Sequence, residues 1–169
     1  MHTTPQTLAA YEAIFAAPGL PLSLGLRCSE ERLLAIEFLS PAVKPTRAPA
    51  LALASEAVAQ LEAYMAGRLA RFDLPLQWQG TSFQRRVWRL LRDIPPACTR
   101  TYGELAMALD SSARAVGGAC RANPLPVVVP CHRVVARTGL GGFAGQRNGR
   151  RLAFKQCLLS HEKRFFDDT

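Results

Sequence analysis

The sequence lacks the residue patterns that are typical of metal centres, disulfide frameworks and membrane spans. It has 169 residues and five cysteines, an odd number, and no Cys-x-x-Cys or Cys/His pair has the spacing of metal ligands. No apolar run approaches ~20 residues. The N-terminus lacks a basic segment followed by an apolar one, since Pro5, Glu12 and Pro18 interrupt it. We therefore expect a soluble cytoplasmic protein with free thiols, no metal and no membrane association.

Negative charge is scarce in the second half of the chain. Residues 1–80 carry six Lys/Arg and seven Asp/Glu, whereas residues 81–169 carry fifteen Lys/Arg and six Asp/Glu. A basic segment beside a neutral one favours a polyanion partner for one domain, with a solvated basic surface as the alternative. The change in charge near Leu74–Gly80 predicts two domains, residues 1–79 and residues 80–169.

The N-terminal half has the pattern of a small scaffold. Apolar residues alternate from Leu20 to Cys28, residues 29–32 carry a turn signal, and Leu33 to Leu39 read as a second strand, so a hairpin is predicted. Helical spacing from Ala54 to Met65, stopped by Gly67, predicts one helix. No residue of this half stands out as catalytic.

Three helices are predicted in the C-terminal half before residue 122. Thr81 and Gln84 form the capping-box pattern of the first helix, which Ile94-Pro95-Pro96 ends. Thr101 begins a short helix, and a second one covers Ala113–Arg121, so the pair is typical of a helix-turn-helix. Ala and Gly dominate the second helix. Because its side chains are small or absent, this helix either packs tightly on another helix or approaches a groove of DNA closely. The net positive charge of the C-terminal half favours DNA.

The strongest chemical signal is the run Pro130-Cys131-His132-Arg133-Val134, which follows the apolar residues Val127–Val129. We predict that Val127–Val129 is a short buried strand that delivers Cys131. A thiolate is a strong nucleophile, and a neighbouring imidazole or cation can lower the thiol pKa that controls its supply. Adjacent side chains of an extended chain point to opposite faces, so a water is the expected relay between Cys131 and His132.

An imidazole base needs a third group that orients it, usually a carboxylate. The candidates in this half of the chain are Glu104, Asp110 and Glu162. Glu162 ends a predicted amphipathic helix, Leu152 to Glu162, and Asn123 is placed to brace the turn or to hydrogen-bond the thiolate. Residues 165–169 are expected to form a frayed tail.

The residues from Asn123 to Val135, NPLPVVVPCHRVV, resemble the active-site signature of the O6-alkylguanine-DNA alkyltransferase family. The resemblance covers residues 80–162 and includes shorter motifs: Phe83-Gln84 with Val87-Trp88, Ile94-Pro95, Thr101-Tyr102-Gly103, Arg114-Ala115-Val116-Gly117, and Leu158-Leu159 with His161-Glu162. Residues 1–79 are similar to the family's variable N-terminal domain only in size and coarse pattern. The fold that the resemblance implies is α+β, with a small N-terminal antiparallel sheet and helix (ribonuclease H-like) and a mostly helical, winged helix-turn-helix-like C-terminal domain.

The resemblance implies DNA repair by direct transfer. The family moves a methyl or other alkyl group from O6 of guanine in double-stranded DNA to its own cysteine, here Cys131, after the base has been flipped out. The product is a thioether, so each molecule acts once, and no cofactor is required. O4-alkylthymine is a possible further substrate. We expect a monomer without an obligate protein partner.

The roles of individual residues carry over by similarity. The implied catalytic residues are Cys131 as acceptor, His132 as base through water, Glu162 as its orienter, Asn123 as support for the thiolate, and Tyr102 as donor to the departing guanine. The implied minor-groove residues are Arg114, which fills the stack after flipping, and Tyr102, Ala113, Gly117 and Arg121. The implied substrate pocket contains Val134, Gly142, Phe143 and Ala144.

Three features depart from the family pattern. Pro96-Ala97 stands where the family has glycine after Ile-Pro, and Ala144 stands where a polar residue sometimes lines the pocket. Gln146–Arg151 lengthens the step to the last helix; we interpret it as a solvated basic loop, with a phosphate contact as the alternative.

Three other functions compete with repair. The presence of Cys131 disfavours a lesion sensor without catalysis, and the basic helix-turn-helix disfavours a thiol hydrolase. The chain shows no further segment of the kind that an alkylation-sensing transcription regulator usually needs.

Overall fold

The structure is a computed structural model that describes residues 11–46 and 48–167. The chain divides into two compact units, the first ending at Gln77 and the second beginning at Trp78. A small antiparallel sheet and a helix form the described part of the first unit, and the second unit is mostly helical. The α+β class predicted from the sequence is therefore confirmed. No helix within these ranges is both long and apolar enough to cross a membrane.

The first unit is built on a three-stranded sheet, β1-β2-β3, with both strand pairs antiparallel. The strands are β1 (Ala13–Phe15), β2 (Ser23–Cys28) and β3 (Leu33–Leu39). The predicted hairpin turn joins β2 to β3 and is closed by the Ser29 N–H, which donates to the Arg32 carbonyl at 2.9 Å. β2 begins later than the alternation suggested because Pro21, which lacks an N–H, precedes it.

One helix, α1 (Ala52–Met65), packs on β1 and β2 in this unit. Its buried face consists of Ala54, Ala57, Leu61 and Tyr64. The helix ends where predicted, since Gly67 follows its C-terminus with a φ of 72°, a left-handed conformation that favours glycine. These contacts are those of a scaffold, and no cluster in them suggests chemistry.

Side-chain caps mark where the first three of the four α-helices described in the second unit begin. The four helices are α2 (Ser82–Arg92), α3 (Tyr102–Ala108), α4 (Ala113–Arg121) and α5 (Gly149–Phe166). Thr81 and Thr101 each form a complete capping box, with Gln84 and Glu104, and Ser112 caps α4 through the Ala115 N–H. These bonds satisfy N–H groups that the first turn of a helix otherwise leaves without partners.

Packing then gathers these helices around α4. Helix α4 packs on both α2 and α3, and the Trp88 indole N–H of α2 donates to the Ala119 carbonyl at 2.8 Å. A two-stranded parallel pair, β4 (Arg100–Thr101) with β5 (Val134–Val135), brings the chain after Cys131 next to the start of α3. The predicted helix-turn-helix pair is thus α3 and α4.

The predicted strand Val127–Val129 is wrong. The segment is buried but irregular, and Val127 has a φ of 75°. Prolines at 124, 126 and 130 remove three of the N–H donors that a strand ladder needs. The Asn123 side chain replaces part of that ladder, accepting from the Leu125 N–H at 2.9 Å and donating to the Val129 carbonyl at 2.8 Å.

The last helix is longer than the spacing of apolar residues predicted. It starts at Gly149 instead of Leu152 and continues through Phe166, whose side chain is buried. The predicted frayed tail is therefore wrong for residues 165–166, where the His161 ring contacts both phenylalanines. Asp168 and Thr169 of that tail lie outside the described residues.

Candidate active site

Cys131 lies at the start of a short 3₁₀ helix, Cys131–Arg133, that follows Pro130. This turn replaces the extended geometry that the sequence suggested. The Cys131 side chain is only 6% exposed, and the Asn123 side-chain N–H₂ donates to its Sγ at 3.2 Å. The same amide group donates to the Val129 carbonyl. Asn123 therefore makes both contacts that the sequence suggested, one that braces the turn and one to the sulfur.

His132 pairs with Glu162, thirty positions later in the chain. The ring Nε2 lies 2.7 Å from the Glu162 carboxylate, and both side chains are fully buried. Of the three candidate orienters, Glu104 caps α3 and Asp110 is exposed in a turn, so the pairing selects Glu162. An ionised carboxylate only accepts hydrogen bonds, which places the proton of a neutral imidazole on Nε2.

The other ring nitrogen of His132 is consequently the basic atom. Nδ1 carries a lone pair in this tautomer, is buried, and has no hydrogen-bond partner among the described residues. Buried polar atoms in folded proteins nearly always have a partner. An unpaired acceptor on the residue next to a buried thiol is an arrangement suited to taking the proton of that thiol.

Arg133 shares the Glu162 carboxylate with His132, a contact that the sequence did not reveal. Its guanidinium donates three bonds to Glu162, at 2.8, 3.1 and 3.1 Å, and a fourth to the Ile94 carbonyl at 2.6 Å. Burial alone raises the pKa of Glu162, but the His132 hydrogen bond and the Arg133 cation outweigh it and hold that pKa far below the ordinary value. Glu162 is therefore a permanent anion.

The Cys131–His132 pair rests in its neutral form. Burial raises the pKa of the Cys131 thiol, although the Asn123 bond and the charge of Lys155 oppose that shift. Burial also lowers the pKa of His132, more than Glu162 raises it. Because Arg133 already balances the Glu162 charge, the imidazole is not forced to carry a proton. The site thus holds a neutral Cys131 thiol and a neutral His132 imidazole. A thiolate and an imidazolium form only when the thiol gives up its proton.

Lys155, a buried cation near the site, was not predicted from the sequence. Its ammonium is fully buried and donates to the carbonyls of Val134 (2.6 Å), Leu140 (2.7 Å) and Gly142 (3.1 Å). Burial lowers its pKa to about 8, while the Cys131 and Cys120 sulfurs act in the opposite direction. The signal was present, since position 155 shares a helix face with Leu158 and Glu162.

A cavity of about 870 Å³ opens in front of Cys131. Its lining includes the predicted groove residues Tyr102, Ala113, Arg114, Gly117 and Arg121 and the predicted pocket residues Gly142, Phe143 and Ala144. Val134 does not line it: that side chain is fully buried and its carbonyl accepts from Lys155, so the placement of Val134 in the pocket is corrected.

Two further groups of the cavity keep their protons at neutral pH. Burial, together with the Cys120 and Cys131 sulfurs, raises the pKa of Tyr102 to about 12, and its hydroxyl lies 3.4 Å from the Gly142 carbonyl as a weak donor. Burial raises the pKa of Cys120 well above its usual value, so this second thiol of the cavity also rests protonated.

The fold and the site together define a protein in which a buried cysteine, followed in the chain by a histidine paired with a glutamate, lines a cavity beside a helix-turn-helix pair. The sequence model described as "6-O-methylguanine DNA methyltransferase, DNA binding domain" matches residues 82–164. A methylated-DNA–protein-cysteine methyltransferase of Methanosarcina acetivorans is 42% identical over 160 residues, covering 90% of this chain and 97% of the relative. The chain therefore belongs to the O6-methylguanine-DNA methyltransferase family.

Other relatives agree with this assignment. The methyltransferase of Mycolicibacterium paratuberculosis is 50% identical over 111 residues, and the match spans 64% of each chain, less than two thirds of that relative. The crystal structure of the Mycobacterium tuberculosis O6-methylguanine methyltransferase superposes with a TM-score of 0.74 at 37% identity, covering 92% of this chain and 94% of that one. A Mycobacterium tuberculosis OGT structure in complex with DNA gives 0.73 at 36% identity, with 89% and 91% covered.

Proposed function

We propose that the protein repairs DNA by transferring a methyl or other alkyl group from O6 of guanine to Cys131, once per molecule. The observation that carries this proposal is the buried His132–Glu162 pair, whose unpaired basic nitrogen belongs to the residue that directly follows the buried thiol of Cys131 in the chain. The thiol faces a cavity large enough for a nucleobase. Family membership supplies the substrate class.

The transfer needs only the groups already described. His132 Nδ1 takes the Cys131 proton through a water, and Glu162 stabilises the imidazolium that forms. The sulfur attacks the alkyl carbon, the carbon–O6 bond breaks, and its electron pair leaves with guanine. Tyr102 gives that guanine a proton and regains one from the imidazolium through solvent. The thioether product contains no bond that the site can hydrolyse, so the reaction stops after one turnover.

The surface of α4 supports binding to the minor groove of double-stranded DNA. A Cβ added to Gly118 would meet no atom within 4 Å, and one added to Gly117 would reach only the Tyr102 ring at 4.0 Å. Internal packing therefore does not require these glycines, which disfavours the alternative of tight helix packing. A surface without side chains lets the backbone approach DNA closely.

Base flipping gives the exposed Arg114 a role. A lesion inside a duplex hides its alkyl group, and extruding the base costs roughly a few kcal/mol. Arg114 stands at the first turn of α4 on the cavity, where its guanidinium can fill the stack that the base leaves. Ala113 and Arg121 belong to the same contact surface. The five free cysteines suit a reducing cytoplasm, and we take a monomer as the acting species.

A single-turnover assay tests the proposal. The protein is mixed with duplex DNA that contains one O6-methylguanine, and the peptide with Cys131 is analysed by mass spectrometry, with Cys131→Ser as the control. We expect one methyl group per protein on Cys131, restored guanine and no second turnover. Tight binding with an unmodified Cys131 would instead identify a lesion sensor.

A further inference from the structure

The segment Gln146–Arg151 contributes positive charge to the edge of the cavity. It carries three arginines between the glycine-rich loop and α5, and Arg147 lines the same cavity as Cys131. The other arginines of the lining, Arg114 and Arg121, come from α4. No aspartate or glutamate is among the lining residues. The cavity is thus bordered by cations from two separate segments of the chain.

The loop holds Arg147 in place. Phe143 and Gln146 exchange two backbone hydrogen bonds, at 2.8 and 2.9 Å, and the Arg151 guanidinium donates to the Ala144 carbonyl at 2.8 Å. A Cβ on Gly142 would lie 3.7 Å from Arg147 Cγ, so the stem of Arg147 lies beside Gly142. The loop that carries the Arg147 guanidinium is therefore held in place by hydrogen bonds.

The charge of Arg147 has no partner among residues 11–46 and 48–167. Its guanidinium forms no ion pair or hydrogen bond with the described residues, and the side chain is exposed. The first turn of α5 begins two residues later, contains no acidic residue and has no side-chain cap, which adds positive potential at this corner. An unpaired arginine in such a potential favours a phosphate.

We propose that Arg147 binds a backbone phosphate of the DNA strand that carries the lesion, as a contact separate from those of α4. This inference rests on the proposed function, because the DNA must be engaged with its base in the cavity. Contacts from α4 and from the loop would then hold the extruded nucleotide at two separate points. Arg151 acts as a positioning residue for the loop.

The test compares Arg147→Gln with Arg164→Gln. Both changes remove one arginine, and Arg164 lies in the last turn of α5, about 22 Å along the helix from Gly149. Affinity for a duplex with one O6-methylguanine is measured in the Cys131→Ser background over a range of KCl concentrations. For Arg147→Gln we expect affinity to fall roughly 3- to 10-fold and the slope of log K against log salt to fall by about 0.9. Arg164→Gln should leave the slope unchanged.

A second readout separates phosphate binding from damage to the pocket. Alkylation of Cys131 by a free O6-alkylguanine base, which has no phosphate, should be slowed much less by Arg147→Gln than alkylation by the duplex at a limiting DNA concentration. An unchanged salt slope, an equal loss of affinity in Arg164→Gln, or an equal slowing of the free-base and duplex reactions would overturn the inference. If wild-type protein fails to demethylate the duplex, the proposed function fails instead, and the two failures are distinguishable.

Discussion

Replacing Glu162 by glutamine removes one charge from the centre of the site and leaves the shape of the side chain intact. In the structure, Oε1 accepts from His132 and Arg133, and Oε2 accepts from Arg133 and from the Ala97 N–H at 3.3 Å. An amide keeps one acceptor oxygen and places an N–H₂ group at the other position. With the oxygen kept toward His132, the amide N–H₂ then faces the donors of Arg133 and Ala97.

The magnitude follows from burial. Glu162 and His132 are fully buried and Arg133 is only 5% exposed, so water does not replace the lost bonds. The Ala97 N–H loses its acceptor, and an unsatisfied buried donor costs about 1–3 kcal/mol; removing the charge of one partner of a buried ion pair costs about 3–5 kcal/mol in total. We expect Glu162→Gln to lower the free energy of unfolding by about 3–5 kcal/mol. Loss of the charge that stabilises the imidazolium should slow alkylation of Cys131 by about 10²-fold or more.

Two assays measure these effects separately. Urea unfolding followed by circular dichroism gives the free energy of unfolding, and quenched single-turnover reactions with a methylated duplex give the rate of alkylation. The rate is measured at a low temperature, where the folded fraction of the variant is known. Glu62→Gln, an exposed position on α1, is the matched control and should change stability by no more than about 0.5 kcal/mol.

Either of two results would contradict the role given to Glu162. A free energy of unfolding within about 1 kcal/mol of wild type would show that the Glu162 carboxylate is not a buried ion-pair partner. A folded variant that alkylates Cys131 at nearly the wild-type rate would show that the charge does not support the base.

Three further predictions use the same structure. First, because burial lowers the pKa of His132, the rate of Cys131 alkylation by a free O6-alkylguanine should not fall at the ordinary imidazole pKa of 6.5 but only at lower pH, as a pH–rate profile would show. Second, Lys155→Met removes the donor to three backbone carbonyls and should lower the free energy of unfolding by about 1–3 kcal/mol, measured in urea. Third, Gly118→Ala should raise the free energy of unfolding by about 0.5–1 kcal/mol, because its Cβ meets open space and alanine favours a helix; Gly118→Leu should instead weaken binding to duplex DNA and spare the free-base reaction.

Each of these predictions has a control or an opposing result. An inflection at pH 6.5 would mean that Glu162 keeps the pKa of His132 at its ordinary value. Lys163→Met, an exposed position on α5, should have little effect, and an equal loss there would contradict the role given to Lys155. Unchanged duplex binding by Gly118→Leu would show that α4 does not approach the DNA closely.

Local chemistry could be predicted from the sequence because its interactions lie within a few residues. Capping pairs three positions apart, such as Thr81 with Gln84, placed the helix start correctly. The hairpin between β2 and β3 followed from alternation and a turn signal. The reactive run was recognisable because a cysteine, a histidine and an arginine stood together after an apolar segment.

Other local predictions failed where a rarer geometry replaced the common one. Apolar character predicted a strand at Val127–Val129, but the surrounding prolines and the Asn123 side chain produce a buried turn. Cys131–Arg133 then forms a 3₁₀ helix, so the side chains of Cys131 and His132 do not have the orientation expected for an extended chain. Periodicity also ended α5 too early, because packing of Phe166 extends it.

The sequence by itself determined the candidate chemistry: a thiol, an imidazole next to it in the chain, and a basic C-terminal half that favours a polyanion partner. Only the tertiary structure decided which carboxylate serves the imidazole, since the 2.7 Å contact of His132 with Glu162 joins positions thirty residues apart. It also decided that Arg133 neutralises Glu162 and that Lys155 donates to three backbone carbonyls. The physical reason is that desolvation and pairing of charges depend on burial, which arises only when distant segments pack together.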